Sequence, residues 1–182
     1  MNKLPENFKI TKYGVTVRLV TEDDAEFITR LRSDERLGRF IHASNGDVEA
    51  QVKWTREYKK REQHGLDYYF IFLKDGVRYG LERIYNIDWT HLSFTTGSWI
   101  CEKGTNIDDA FLTSLITNEI AYDLLGLKIN IYDVRKENKH VLNFHRKIMC
   151  ALQYAETELD YLFISTPETR KNSKLKKYLE IE

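Results

Sequence analysis

The chain has 182 residues, and 28 lysine and arginine residues balance 28 aspartate and glutamate residues, so its formal net charge is zero. This balance gives no electrostatic reason to expect nucleic acid or an acidic membrane as a partner. No apolar run approaches the roughly 18 residues of a membrane-spanning helix, and no signal peptide is apparent, so we expect a cytoplasmic protein. The length and a hydrophobic content of 42% predict one domain with its own core.

The first part of the chain predicts strands separated by two helices. In chain order, the pattern predicts a strand at 15–20, helices at 22–32 and 47–63, and strands at 67–74, 77–87 and 91–100. Thr21 is the expected cap of the first helix, and the turn Asn45-Gly46-Asp47 is expected to start the second. Asp75-Gly76 predicts a hairpin between two of the strands.

The second part alternates helices and strands and ends in a helix. It predicts a helix at 107–125, a strand at 128–134, a helix at 139–149, paired strands at 152–156 and 159–164, and a helix at 167–179. Gly126 is the expected end of the first helix, and Thr166 with Pro167 is the expected start of the last. The order predicts an α/β protein with a mixed, mostly antiparallel sheet of about six to seven strands flanked by helices.

One segment, N-K-H-V-L-N-F-H-R-K at 138–147, directly follows a short β-branched strand. It resembles the end of the acyl-CoA site in the GNAT acyltransferase superfamily, where an Asn and later a Tyr stand at the positions of Asn138 and His145. The order of elements over about 15–165 is also that of GNAT proteins. The resemblance implies a single GNAT-like domain over 1–182 that transfers an acetyl group from acetyl-CoA to a primary amine.

A second match is Gly97-Ser98-Trp99-Ile100, which resembles the strand end whose backbone holds the thioester in GNAT proteins. Fixed backbone donors stabilise the oxyanion that forms when an amine attacks a thioester. The turn that follows would receive the pyrophosphate at a helix N-terminus. The acetyl-CoA contacts implied by the resemblance are Ser98, Trp99, Ile100, Gly104, Thr105, Asn106, Ile107, Asn138 and Phe144.

The phosphate turn departs from the family pattern. The usual Arg is absent, and Asp108 and Asp109 follow where a pyrophosphate would bind. These acids suit the helix dipole but would repel phosphate. A GNAT-fold protein that has lost catalysis and acts in binding therefore remains an alternative.

Acyl transfer to an amine needs two proton movements. His145 is the predicted acid that protonates the leaving sulfur, because an unperturbed histidine has a pKa near 6.5. Glu82, a charged residue inside an otherwise apolar strand, is the candidate base. Cys101 and Cys150 have no metal-ligand spacing, so we expect reduced thiols and no metal.

The acceptor is predicted from a narrower resemblance. The Phe144-His145 pair, and the run at 133–138, resemble acetyltransferases that act on amino sugars, often nucleotide-linked. Arg39 and Tyr85 are the predicted acceptor contacts. Arg39 would bind a phosphate or carboxylate of the acceptor, and the ring of Tyr85 would stack on its sugar or base. A ribosomal-protein or N-terminal peptide acetyltransferase is the alternative, and a homodimer is possible.

Overall fold

The computed structural model describes residues 2–40 and 46–181. Its strands are β1 Lys9–Lys12, β2 Val15–Leu19, β3 Tyr68–Lys74, β4 Val77–Asp88, β5 Ser93–Cys101, β6 Ile129–Arg135, β7 Leu152–Glu156 and β8 Asp160–Ser165. Its α-helices are α1 Ala25–Ser33, α2 Val48–Gln63, α3 Ile107–Glu119, α4 Lys139–Asn143, α5 Pro167–Lys171 and α6 Leu175–Tyr178. A 3₁₀ turn at Glu22–Asp24 leads into α1, another lies at Gly38–Phe40, and π-helical turns extend α3 over Ile120–Leu124 and α4 over Phe144–Ile148.

The strands form one sheet in the order β1-β2-β3-β4-β5-β6-β8-β7. Every neighbouring pair is antiparallel except β5 and β6, which are parallel. This confirms the predicted mixed α/β sheet, with eight strands in place of six to seven. The prediction missed β1 because Lys9–Lys12 carries no apolar periodicity, and its pairing with β2 defines it.

Strand β3 is buried on both faces, which explains why helices cover both sides of the sheet. Phe70 and Phe72 pack in a cluster with residues of α3. The alternating residues Tyr69 and Ile71 pack in a second cluster with α1 and α2. The run is continuously apolar because neither face of this strand meets solvent.

Strands β5 and β6 separate soon after they meet. Their ladder contains only Ser93 opposite Ile129 and Phe94 opposite Asn130. Beyond this ladder, the Asn130 side chain replaces the backbone hydrogen bonds between the two strands. Its Oδ1 accepts from the Thr96 backbone N–H at 3.1 Å, and its Nδ2 donates to Thr96 Oγ1 at 3.0 Å. Past this link the two strands diverge and form a fork in the sheet.

The predicted C-terminal helix at 167–179 is wrong as a single element, because it breaks into α5 and α6. Ser173 causes the break: its Oγ donates to the Ile148 carbonyl and accepts from the Leu175 N–H. These bonds compete with continuation of the helix.

The predicted start of α2 at Asn45 lies outside the described residues. None of the helices within 2–40 and 46–181 is long and apolar enough to cross a membrane.

A buried carboxylate ties the start of α1 to the sheet. Asp24 is fully buried and accepts from Arg18 at 2.7 and 2.8 Å and from Arg78 at 3.1 Å. Burial raises the pKa of this carboxyl, but the hydrogen bonds from Arg18 and the Thr21 backbone outweigh it, so the net pKa is lowered. Its contribution to stability is therefore present above the unfolded-state pKa of about 3.9 and is lost as the pH falls.

We expect Asp24→Asn to lower the free energy of unfolding by about 3 kcal/mol at neutral pH, because it leaves the guanidiniums without their buried partner. Urea unfolding over a pH series measures this, and the difference from wild type should shrink as the pH falls below about 4. The exposed neighbour Asp23→Asn is the control. A difference that does not change with pH would contradict this account.

Candidate active site

The mouth of the fork opens into a cavity of about 700 Å³. A concave site of this size with a few converging polar groups is typical of a small-molecule site. Its walls come from the region between α1 and α2, from β4 and β5, and from β6 with α4. The lining includes Arg32, Arg39, Trp54, Glu82, Arg83, Tyr85, Ser98, Trp99, Tyr132, Arg135, Asn138 and His145.

Glu82 lies in β4 and reaches the cavity although it is only 4% exposed. Its Oε2 has no hydrogen-bond partner among the described residues. Burial raises the pKa of Glu82 to about 8, because a low-dielectric environment disfavours the charged carboxylate. A carboxyl group with such a pKa can change protonation state within the physiological range.

His145 lies on the π-helical turn that follows α4 and lines the same cavity. Its ring is surrounded by Trp99, Tyr132, Phe144 and Phe163, with centroid distances between 4.7 and 6.4 Å. Tyr132 Oη is hydrogen-bonded to His145 Nδ1 at 2.9 Å. Nε2 has no hydrogen-bond partner among residues 2–40 and 46–181.

The environment of His145 corrects one assumption of the sequence prediction. Burial lowers the pKa of His145 to about 3, well under the value near 6.5 of a solvated histidine. The imidazole is therefore neutral at physiological pH, because the rings around it offer no solvation to a cation. For His145 to act as an acid, a negative charge beside the imidazole must raise its pKa.

The predicted thioester segment lies on β5, where the strand bulges. Leu81 pairs with Ile100 but Arg83 pairs with Gly97, so β5 contains one extra residue, and Ser98 has a φ of 53°. A Cβ atom at Gly97 would lie 3.0 Å from the ring of Tyr85, so a larger residue here would require that ring to shift. Bulges re-aim backbone groups next to active sites, and this one faces the open fork.

Trp99 is fixed between the cavity and α3. Its Nε1 donates to Thr113 Oγ1 at 2.8 Å, and its ring packs 4.9 Å from Phe144. Phe144 is itself only 4% exposed. Phe144 does not line the cavity and packs against Trp99 from the core side. Its burial therefore disfavours the predicted direct contact with acetyl-CoA.

The turn before α3 is preorganised without the usual Arg. Asn106 caps the helix by accepting from the Asp109 N–H at 2.7 Å. Lys74 donates to both carboxylate oxygens of Asp109 at 2.7 and 2.9 Å. Arg30 makes two hydrogen bonds to Glu102 just before the turn. The expected repulsion of phosphate is therefore reduced, because two of the acids near the turn already have cationic partners.

Of the other predicted contacts of the turn, Gly104 and Ile107 are exposed and Thr105 is half-buried. Gly104 has a φ of 89°, with nothing within 4 Å of a Cβ atom built there. The Thr105 hydroxyl donates to the Glu102 carbonyl at 2.7 Å, and Ile107 begins α3 with its side chain exposed. None of these residues lines the cavity, so the turn is a separate part of the candidate site.

Three further predicted residues, Asn138, Arg39 and Tyr85, line the cavity, whereas Ile100 is only 5% exposed and packs in the core cluster beneath α1 and α2. Asn138 caps α4 by accepting from the Val141 N–H at 3.4 Å. Arg39 donates to Glu137 at 3.1 Å across the cavity mouth. Tyr85 is half-buried, with the Arg83 guanidinium 4.7 Å from its ring centre.

Sequence reasoning missed Tyr132, Arg32 and Arg83 as parts of the cavity. Tyr132 shares one face of β6 with Asn130, two residues away, and this period-two spacing was the available signal. Arg83 is held by Asp67 and lies over the ring of Trp54 at 5.1 Å, which only the tertiary structure reveals.

No group of three or more His, Cys, Asp or Glu in the described part of the chain is placed to hold a metal ion.

Solved structures share this architecture. Apo FdhC, a nucleotide-linked sugar GNAT, is 32% identical with a TM-score of 0.84, over 97% of this chain and 99% of FdhC. The ribosomal-protein-S5-alanine acetyltransferase of Vibrio fischeri is 13% identical, with a TM-score of 0.75 over 88% and 97%. Spermidine N-acetyltransferase of Vibrio cholerae, in complex with CoA and spermine, is 13% identical, with a TM-score of 0.74 over 88% and 100%. No protein-family model matches the sequence, and no curated protein does.

These structures are acetyltransferases built on the same mixed α/β fold as this chain. The chain is 32% identical to FdhC over nearly its whole length, so it belongs to the GNAT family and is an acetyltransferase. The predicted family is confirmed, and the alternative of a GNAT fold without catalysis is set aside.

We expect the imidazole signals of His145 to stay unchanged from about pH 8 to pH 5, because its pKa is about 3. The unfolded chain has a histidine pKa of about 6.5, so this residue adds stability above that pH and loses it as the pH falls. Histidine-selective NMR measures the protonation. Titration near pH 6.5 would contradict the burial argument, and His145→Phe should remove this part of the pH dependence of unfolding.

Proposed function

We propose that the protein transfers the acetyl group of acetyl-CoA to the amine of a nucleotide-linked amino sugar. The observation that carries this is that four arginines, Arg32, Arg39, Arg83 and Arg135, line the cavity together with Glu82 and His145. Guanidinium groups suit the bidentate binding of phosphate. Four arginines and three acids, Asp47, Glu82 and Asp133, line the cavity, and this excess of positive charge favours an anionic acceptor over a polyamine. FdhC, which is 32% identical, is a nucleotide-linked sugar GNAT.

Among these arginines, Arg39 is the best candidate for the phosphate. Its ion pair with Glu137 joins side chains that are 63% and 75% exposed. Such exposed pairs contribute only about 0–1 kcal/mol, so a phosphate can replace Glu137 at little cost. Arg83, in contrast, is held by the buried Asp67 and remains part of the wall.

The fork and the turn before α3 suit acetyl-CoA. The unpaired edge of β5 near Ser98 would bind the pantetheine arm, Asn138 lies at the opposite wall, and the turn from Gly104 to Ile107 would receive the pyrophosphate. The spermidine N-acetyltransferase with the same fold was solved with CoA. Acetyl-CoA supplies the activated acyl group as a thioester.

The protein's own groups then account for the proton movements. Glu82, ionised above a pKa of about 8, accepts the proton that the acceptor ammonium must lose before attack. Backbone N–H groups at Ser98 to Ile100 stabilise the oxyanion. His145 presents Nε2 to the leaving sulfur, whose negative charge raises the pKa of the adjacent imidazole, so that the ring takes up a proton from solvent and passes it to the thiolate. The chain thus forms no covalent intermediate with the acyl group.

The direct test is acetyl transfer from acetyl-CoA to three acceptors at equal concentration: a nucleotide-linked amino sugar, the same sugar without its nucleotide, and a peptide with a free N-terminus. The proposal expects the highest kcat/KM with the nucleotide-linked sugar. A preference for the peptide would overturn the assignment of the acceptor and leave the family intact.

We expect Glu82→Gln to lower kcat/KM by roughly 10²- to 10⁴-fold, because the amide cannot accept a proton. In wild type, kcat/KM should rise as the pH increases and level off above about 8, where Glu82 is ionised. Deprotonation of the acceptor amine also makes kcat/KM rise with pH, and Glu82→Gln should retain this part of the pH dependence. A variant profile identical to wild type would assign the whole limb to the amine and remove Glu82 from the mechanism.

We expect Arg39→Gln to raise KM for the nucleotide-linked sugar by roughly tenfold with kcat little changed, because a charge-assisted contact to phosphate is lost in ground state and transition state alike. The matched control is Arg56→Gln, since both arginines are 63% exposed and both make an ion pair, but Arg56 lies outside the cavity. Equal effects of the two changes would contradict the role of Arg39.

A further inference from the structure

The chain beyond β8 lies outside the part whose order of elements matches the GNAT core, and it packs against both helices that flank the fork. Ser173 Oγ and the Lys174 N–H donate to the Ile148 carbonyl at 3.2 and 2.8 Å, which fixes the segment to the end of α4. Leu175 is buried in the main core together with residues of α3. The segment is therefore held firmly where α3 and α4 approach each other.

A row of aromatic rings connects this segment to the cavity. Trp99, which lines the cavity, lies 4.9 Å from Phe144; Phe144 lies 4.5 Å from Phe111; and Phe111 lies 5.2 Å from Tyr178. Tyr178 ends the row and is 45% exposed. Phe111 is four residues after Ile107, about one helical turn, so Tyr178 lies beside the start of α3.

The segment before Tyr178 is rich in positive charge, and one acid, Glu180, follows two residues after it. From Arg170 to Leu179 the sequence contains five cationic residues and no acid. Three of them are paired with acids: Arg170, Lys171 and Lys176. Lys174 and Lys177 are exposed and have no ion-pair partner in the described ranges. An exposed aromatic ring with unpaired cations next to it suits a planar ligand that carries phosphate.

We propose that Tyr178 is the stacking surface for the adenine of coenzyme A, so that the C-terminal segment completes the coenzyme site. This inference rests on the proposed use of acetyl-CoA. The pyrophosphate would lie at the turn before α3, and a single ribose separates it from the adenine. Tyr178 packs on Phe111, one helical turn into α3 from that position, and 45% of Tyr178 is exposed and available to a base.

Calorimetric titration of the full chain with CoA and with 4′-phosphopantetheine, which lacks the 3′-phosphoadenosine and one phosphate of the pyrophosphate, tests the proposal. We expect Tyr178→Ala to weaken the binding of CoA about tenfold, which is within the range for loss of one base–aromatic stack. Binding of 4′-phosphopantetheine should be unchanged. Tyr178→Trp should restore the binding of CoA, because the larger ring still stacks, which separates stacking from a structural effect on Phe111.

The matched control is Tyr154→Ala, because Tyr154 is 54% exposed and lies on β7, away from α3. Equal affinity of wild type and Tyr178→Ala for CoA would overturn this inference alone. Parallel losses for CoA and 4′-phosphopantetheine would assign Tyr178 a structural role and overturn it as well. Wild type that is folded but binds no CoA would overturn both this inference and the proposed function.

Discussion

The candidate site depends on the hydrogen bonds between Asn130 and Thr96. A parallel pair of strands normally continues its ladder, but here the Asn130 side chain occupies the backbone N–H and the hydroxyl group of Thr96. The ladder ends after two residue pairs, and the sheet opens. Without that separation there would be no exposed edge on β5, no cavity between β5 and β6, and no route by which Glu82 meets a ligand.

Burial at the fork decides the charge of its two titratable groups. It raises the pKa of Glu82 to about 8 and lowers the pKa of His145 to about 3. The shifts have opposite signs but one cause, because a low-dielectric environment disfavours a charge of either sign. Both groups are therefore mostly neutral at pH 7, whereas the arginines at the acceptor wall keep their charge. An anionic acceptor thus meets fixed positive charges in the cavity, which Asp47 and Asp133 also line.

The turn before α3 shows how a family site tolerates an unusual sequence. Asp109 follows the residues that would meet a pyrophosphate, yet Lys74 from the end of β3 neutralises it. Asn106 leaves the helix capped and the turn ordered. The local sequence of the turn does not show that Lys74, from a distant strand, pairs with Asp109. The residues of the turn alone therefore predict poor binding of phosphate.

The sequence by itself indicated most of the strands and helices, the family, and Glu82 and His145 as candidate site residues, because apolar periodicity and short motifs are local properties. It overlooked β1, whose four residues form a strand only through pairing with β2, and it joined α5 to α6, which Ser173 separates through bonds to α4. Only the tertiary structure decided the pKa of His145, the partner Tyr132 and the compensation of Asp109. Each of these depends on atoms brought together from distant parts of the chain, and burial and Coulomb interactions depend on that proximity.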